Sequence, residues 1–498
     1  MARRTRFLAI AAVLTLVLFV LFPHYKHAWT PTPITSKPDG ETTETGPLPG
    51  SPVNMNQAED LGTTSDSYGK LCEENNCFRG SWKQREPPLV NLEDVKPWTG
   101  CPAASKTGGS ETDVEQGKSS ASRLLDIVNW KWEPTHSSLE EWNPEAFVVR
   151  LLKSPGGLVF LGDENTRDHF TALLGNLNHS RISFDVDLNT PLRFKTQHVQ
   201  QYTLSPSDPS TERLRLAADV PVSRLERPIL TLIQDSLLVN EAELQTISQR
   251  VGKAEDHGWT RELPSVHGWP SLVEDLAATR NEERETVTED TIVIINTGIH
   301  WSRHQLTLLK ARNNPADEQA YLTEAYRQMV RVVSEQLKVN PRVFIYYRAT
   351  TPGHPKCYIH SSPYKTPGAA QALEKNVVSR LLQGVATEAE RQQKRKWDWD
   401  LFPVHNEVWR RAIIRLEHER KMLFAKPFPL QRLYAKWHYL DIWSQALQRP
   451  DAHYDPSQDC LRWCSPVLFD QWTRHLHHIL QMKHREAAHR LRTDDLFN

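Results

Sequence analysis

A chain of 498 residues with 60 Lys and Arg against 61 Asp and Glu has a formal net charge of -1, so no strong field marks it for nucleic acid. Its 21 histidines would make it more positive only in an acidic compartment. The cysteines, Cys72, Cys77, Cys101, Cys357, Cys460 and Cys464, form an even set that favours disulfides in an oxidising lumen, with the pairing open. Cys72 and Cys77 lack a second pair at zinc-ribbon spacing, so no metal site is expected.

Arg3, Arg4 and Arg6 open the chain, followed by an apolar run from Phe7 to Phe22 that Pro23, His24 and Lys26 close. About 16 residues at 1.5 Å each fall a little short of a ~30 Å hydrocarbon core, which suits a thin early-secretory membrane. A cleaved signal peptide shares the charged start and apolar middle. Against it, no small-x-small cleavage pattern follows the run, and the arginines favour a cytosolic N-terminus. Residues 1–27 are therefore expected to be a cytosolic tail and signal anchor of a single-pass type II protein of the Golgi or endoplasmic reticulum membrane, with the C-terminal domain in the lumen. Residues 28–70, rich in Pro, Thr, Ser and Gly, hold too little apolar surface to offset the entropy of ordering and read as a flexible stem. A cysteine-containing N-terminal lobe is expected over 71–130 and one large α/β domain over 131–498. Asn178-His179-Ser180 is a glycosylation sequon that fits lumenal exposure.

Within the large domain, Leu158–Leu161, Ile229–Ile233, Thr291–Ile295 and Val343–Tyr347 are short apolar or β-branched runs that predict buried strands. Residues 318–338 and 404–420 repeat apolar side chains every three or four positions, as at Val408, Ala412 and Leu416, and predict helices. Strands alternating with helices predict a central parallel sheet covered on both faces. Ligands bind beyond the carboxyl ends of the strands in such sheets, which gathers Glu164, Asn296 to His300 and Arg348 to His354 around one crevice.

The stretch Leu158 to Arg167 reads Leu-Val-Phe-Leu-Gly-Asp-Glu-Asn-Thr-Arg, a strand followed by the tight turn Gly162-Asp163. Esterases built on a Gly-Asp-Ser turn carry their nucleophilic serine where this chain has Glu164. Upstream stands Trp130-Lys131-Trp132-Glu133-Pro134, and downstream come Asn296-Thr297-Gly298-Ile299-His300-Trp301 and Tyr347-Arg348-Ala349-Thr350-Thr351-Pro352-Gly353-His354. Near the C-terminus stand Arg449-Pro450-Asp451-Ala452-His453 and Asp459-Cys460-Leu461-Arg462-Trp463-Cys464. Together these blocks resemble the PC-esterase, or trichome-birefringence-like, family of polysaccharide O-acetyltransferases. The resemblance implies an SGNH-hydrolase-like three-layer α/β sandwich. It also implies a serine, aspartate and histidine triad whose positions fall on Glu164, Asp459 and Arg462. Oxyanion donors are implied near Gly162 and Asn296, with Asp163, Arg167, Gly298 and His300 around the crevice.

Two of the three triad positions are thus replaced, while the aspartate and the frame remain. A carboxylate is a weak nucleophile that would form a mixed anhydride, and an arginine stays protonated and cannot act as a base. Glu164 and Arg462 are instead expected to face each other as an ion pair, with Arg167 and Asp459 completing a network of alternating charge. His300 or His453 would be the partner of Glu164 if it served as a general acid or base in a transfer without a covalent intermediate. Trp301 and Trp463, which belong to the family blocks, are the candidates for stacking on a sugar, with Arg348, His354 and His453 as further substrate contacts. For Trp397, Trp399, Trp437 and Trp443 core packing is the default. The expected role is polysaccharide modification at the cell surface or cell wall without serine-dependent acetyl transfer. It would act through glycan binding or by organising a partner acetyltransferase or glycosyltransferase. The alternative is an active O-acetyltransferase, esterase or glycan transferase using Glu164. No bound cofactor is expected in either case, and an acetyl donor only if the protein is active.

Overall fold

The computed structural model describes residues 71–73, 76–91, 120–251, 263–306, 309, 315–354, 357–383, 397–424, 434–456 and 459–497. All of them belong to the compact unit Asp66–Asn498. The apolar run Phe7–Phe22, the stem and Cys101 lie outside the described residues, among which no helix is long and apolar enough to cross a membrane.

Strand β1 (Gly80–Gln84) pairs antiparallel with β2 (Trp130–Pro134) in a small sheet, with Trp82 opposite Trp132. The boundary between residues 130 and 131 therefore falls inside β2. Trp132 Nε1–H donates to Cys77 O at 3.0 Å, and Trp82 Nε1–H to Gln445 O at 2.9 Å. Both residues are buried, so this sheet packs into the rest of the unit.

The main sheet holds seven strands: β3 (Leu158–Gly162), β4 (Phe184–Val186), β5 (Val199–Leu204), β6 (Leu230–Gln234), β7 (Thr291–Asn296), β8 (Val343–Arg348) and β9 (Lys436–Leu440), in the order β4-β5-β6-β3-β7-β8-β9. From β6 to β9 neighbouring strands run parallel. The sheet is not parallel throughout, because β4 and β5 join antiparallel at one edge. Their partial exposure is the physical reason: an antiparallel edge tolerates water on one face, whereas parallel strands are buried on both.

Every residue of β3, β6, β7 and β8 is buried, as helices cover both faces. Side chains alternate between two cores. Leu158 and Phe160 meet Ile292, Ile294, Phe469 and Trp472 on one face, while Val159 and Leu161 meet Val293, Ile295, Tyr326 and Met329 on the other. Each fully buried aliphatic side chain stabilises by roughly 1.5–3 kcal/mol, so a one-residue slip of β3 would be opposed on both sides. The helices Pro315–Lys338 and Phe402–Phe424 cover the second face, with Ala412 and Leu416 in that core. Last in the chain, β10 (His453–Asp455) and β11 (Asp459–Trp463) form an antiparallel pair with His453 opposite Trp463, before the helix Val467–Phe497.

Candidate functional site

Strand β3 is central, with β6 on one side and β7 on the other. Where the chain order reverses in this way, the loops leaving neighbouring strands diverge and open a crevice at the carboxyl ends. Gly162, at φ 154°, closes β3 against β7 so tightly that a Cβ would stand 2.1 Å from Asn296 O. Asp163 then caps the helix Glu164–His179, its Oδ1 accepting the N–H of Asn165 and Thr166 at 3.1 and 3.3 Å. Glu164 is consequently the first residue of that helix, where the exposed N–H groups favour a negative side chain. Burial, reinforced by the neighbouring Glu164 charge, raises the Asp163 pKa to about 6.

Glu164 Oε2 lies 2.6 Å from His300 Nε2, the two side chains being 27% and 7% exposed. Burial opposes ionisation of Glu164. The hydrogen bond and charge of His300, followed by Arg167, outweigh burial and hold the carboxyl below its ordinary range. His300 is carried by the loop after β7, which is pinned at one atom: Tyr326 Oη, Tyr347 Oη and Thr350 Oγ1 donate to Thr297 O at 2.9, 3.0 and 2.9 Å. Gly298 presses against Thr350 in the same loop, leaving no room for a Cβ.

Arg462 does not face Glu164. From β11 it donates through Nε and Nη2 to Asp168 Oδ2 at 3.1 and 3.0 Å, with its guanidinium 4.8 Å over the Tyr454 ring. Asp168 also holds Arg167 Nη2 at 3.0 Å. The expected Glu164–Arg462 pair is thus split in two. Asp168 sits one helical turn beyond Glu164, on the same face, and intercepts the arginine. Asp459 begins β11 opposite Asp455, and its side chain lies outside the described residues.

Several other predicted contacts turn out to be structural. Asn296 Nδ2 donates to Arg348 O at 2.8 Å and to Thr350 Oγ1 at 3.4 Å, so the amide expected to hold an oxyanion joins β7 to β8 instead. Arg348 is buried beneath the crevice, with Nη1 3.0 Å from His169 Nδ1, Nη2 donating to Thr166 Oγ1 at 3.1 Å and its guanidinium over Trp472. Burial, partly offset by Asp163, lowers its pKa to about 10. His354 and His453 are also buried and meet at 2.7 Å between Nδ1 and Nε2. Their outer nitrogens lie 3.0 Å from Leu447 O and 3.1 Å from Arg462 O. Burial pushes His354 down to about 3 and His453 well below the imidazole range. His453 is therefore not a partner for Glu164, and His300 is.

The tryptophans reverse the expectation drawn from the sequence. Trp301 has no exposure and meets Tyr326 edge to face at 5.3 Å. Trp463 is equally buried, donates from Nε1 to Thr351 Oγ1 at 3.1 Å and stacks on His453 at 4.2 Å. Neither offers a face to a sugar, because these motif positions point into packed interior. Trp397, Trp399 and Trp443 instead are partly exposed and pack on a small third cluster, Ile299, Phe402 and Leu461. Trp397 stands edge-on to His300 at 5.7 Å. Between Trp397 and Trp399 the buried Asp398 accepts Arg303 N at 2.6 Å, Nε at 2.9 Å and Nη2 at 2.6 Å. Sequence reading missed Asp168, Arg303 and Asp398. Spacing from Glu164 offered a signal for the first, and nothing local offered one for a pair 95 residues apart.

Disulfides join Cys72 to Cys77 and Cys357 to Cys460, the second tying the loop after β8 to β11, and Cys464 is also disulfide-bonded. Cys72, Cys77 and His478 lie close enough to share an ion. The tautomer does not fit one: Glu140 N–H donates to His478 Nδ1 at 3.0 Å, leaving Nε2–H to donate to Cys72 O at 2.9 Å. Asn178 is exposed on the last turn of the helix Glu164–His179. A groove of about 560 Å³ between the helices Pro315–Lys338 and Phe402–Phe424 is lined by none of these residues. Scanned against protein-family models the chain matches none, and a search of curated protein sequences returns no match. The site is therefore read from its own geometry.

Proposed function

We propose that this chain is a membrane-anchored, lumenal relative of the polysaccharide O-acetyltransferases that its motifs resemble, with their three-layer hydrolase-like arrangement, and that its crevice binds glycan without serine-dependent acetyl transfer. What supports this reading most is how the two replaced positions are partnered. The nucleophile position holds a carboxylate bonded to His300, and the base position holds a guanidinium bonded to Asp168. Transfer through a covalent acyl intermediate needs a nucleophile that a neighbouring base deprotonates, and this pairing supplies neither at those positions. The protein would then serve a partner acetyltransferase or glycosyltransferase of the Golgi or endoplasmic reticulum, held there by the Phe7–Phe22 run.

The 2.6 Å Glu164–His300 contact favours a second reading. Held ionised by the buried imidazole and itself partly exposed, Glu164 could deprotonate a sugar hydroxyl in a direct transfer, a step worth about 10²–10⁴ in rate. The two readings separate in one experiment, in which the full chain and Glu164→Ala are assayed for acetyl transfer, ester hydrolysis and retention on immobilised polysaccharide. Retention with no turnover in either protein is the expected result. Turnover by the wild type that disappears in Glu164→Ala would overturn the binding reading and make Glu164 catalytic.

A further inference from the structure

We propose that Trp397 and Trp399 form a stacking platform for a pyranose ring beside the Glu164–His300 pair, an assignment that rests on reading the crevice as a carbohydrate site. The two large cores account for packing on both sheet faces. The third cluster lies instead at the carboxyl ends of the strands, built on Ile299 next to His300 and Leu461 next to Arg462, and it gathers three partly exposed tryptophans. Trp397 sits against His300 on the loop after β7. Trp399 sits over Gly353 on the loop after β8, where a Cβ would come within 3.0 Å of its indole. The two rings thus line both loops that flank the crevice.

The segment that carries them is held at its centre. Asp398 adopts a left-handed backbone, φ 44° and ψ 53°, a conformation aspartate takes more readily than most residues. Its side chain is held by the buried, three-contact clamp from Arg303, three residues beyond His300. One clamp therefore fixes the tryptophans relative to the dyad.

The same surroundings select the ligand class. A wholly apolar ligand would strip water from the Glu164 carboxylate and replace it with nothing. A ring with a flat C–H face and a hydroxyl rim satisfies both halves, the face meeting indole and the hydroxyls meeting the partly exposed Glu164 carboxylate. Gluco- and xylo-configured pyranoses have that shape, whereas the axial hydroxyl of a manno-ring interrupts one face.

The test titrates the full chain, in a detergent without a sugar headgroup, with cellohexaose, xylohexaose and mannohexaose by calorimetry. Cellohexaose or xylohexaose should bind at least about tenfold more tightly than mannohexaose, and Trp397→Ala and Trp399→Ala should each weaken binding by about tenfold. Indole oxidation by N-bromosuccinimide, mapped by peptide mass spectrometry on the wild type, guards against a variant that fails to fold. Bound hexasaccharide should protect Trp397 and Trp399 selectively. Binding that Glu164→Ala abolishes, with neither protection nor any effect of the tryptophan variants, would overturn the platform and leave the carbohydrate reading standing. A wild type that binds no hexasaccharide would overturn both.

Discussion

His300 and His453 both qualify as partners for Glu164 on motif position, yet the fold gives them opposite surroundings. His300 meets a carboxylate that reaches solvent and stands edge-on to a partly exposed tryptophan. His453 has no exposure, stacks on Trp463, and spends both nitrogens on His354 and a backbone carbonyl. A buried imidazole holds a proton only where a neighbouring charge compensates the cation. The difference teaches that one histidine serves the crevice and the other serves the hairpin beneath it.

Removing the buried ring should have the largest effect. His453→Ala takes away a stacked aromatic and leaves both His354 Nδ1 and Arg462 O without their partner, so chemical denaturation should show a loss of about 3 kcal/mol or more. A loss below about 1 kcal/mol would mean that this ring is not structural.

The next test asks whether the buried pair is neutral. Glu374 lies 4.0 Å from His354 Nε2 and accepts Tyr364 Oη–H at 2.7 Å, and burial raises its pKa to about 7. A carboxyl whose folded pKa lies above its unfolded one, near 4.5, makes the folded state bind more protons in between. Its stabilisation is therefore complete below about pH 4.5 and is lost as pH rises through about 7. Glu374→Gln cannot ionise yet keeps an acceptor for Tyr364. It should match the wild type at pH 5 and exceed it at pH 8 by an amount on the order of 2 kcal/mol, read from melting curves. An equal loss at both pH values would show that Glu374 is ionised throughout and paired with a charged His354.

A smaller effect on folding belongs to the pair at the crevice. His300→Gln should cost less unfolding free energy than His453→Ala, since a glutamine can still donate to Glu164 across the 2.6 Å contact. It should nevertheless move the Glu164 carboxyl upward, because the charge that opposes its burial is gone. Carboxyl-labelled glutamate NMR, assigned with Glu164→Gln, would detect the shift. An unchanged titration would break the contrast between the two histidines.

Much of the frame was legible in the sequence because it rests on local chemistry. Unbroken apolar runs marked β3, β6, β7 and β8, since strands buried on both faces carry no polar alternation. The Gly162-Asp163 turn was visible in composition, because a close strand approach demands glycine and a helix start favours a capping carboxylate. Alternation of strand and helix then located the crevice at the carboxyl ends.

Which side chains meet in that crevice was decided only by tertiary structure. Arg462 finds Asp168 rather than Glu164 through the rotational phase of one helix against a strand nearly 300 residues away, a separation of 294. Trp301 and Trp463 turn inward while Trp397 and Trp399 remain partly exposed, because loop paths and the Arg303–Asp398 clamp set their direction. Spacing along the chain encodes which residues share a face of one element, and it carries no such information about contacts between elements. The pairing of Glu164 with His300, and the chemistry that follows from it, belongs to the folded molecule alone.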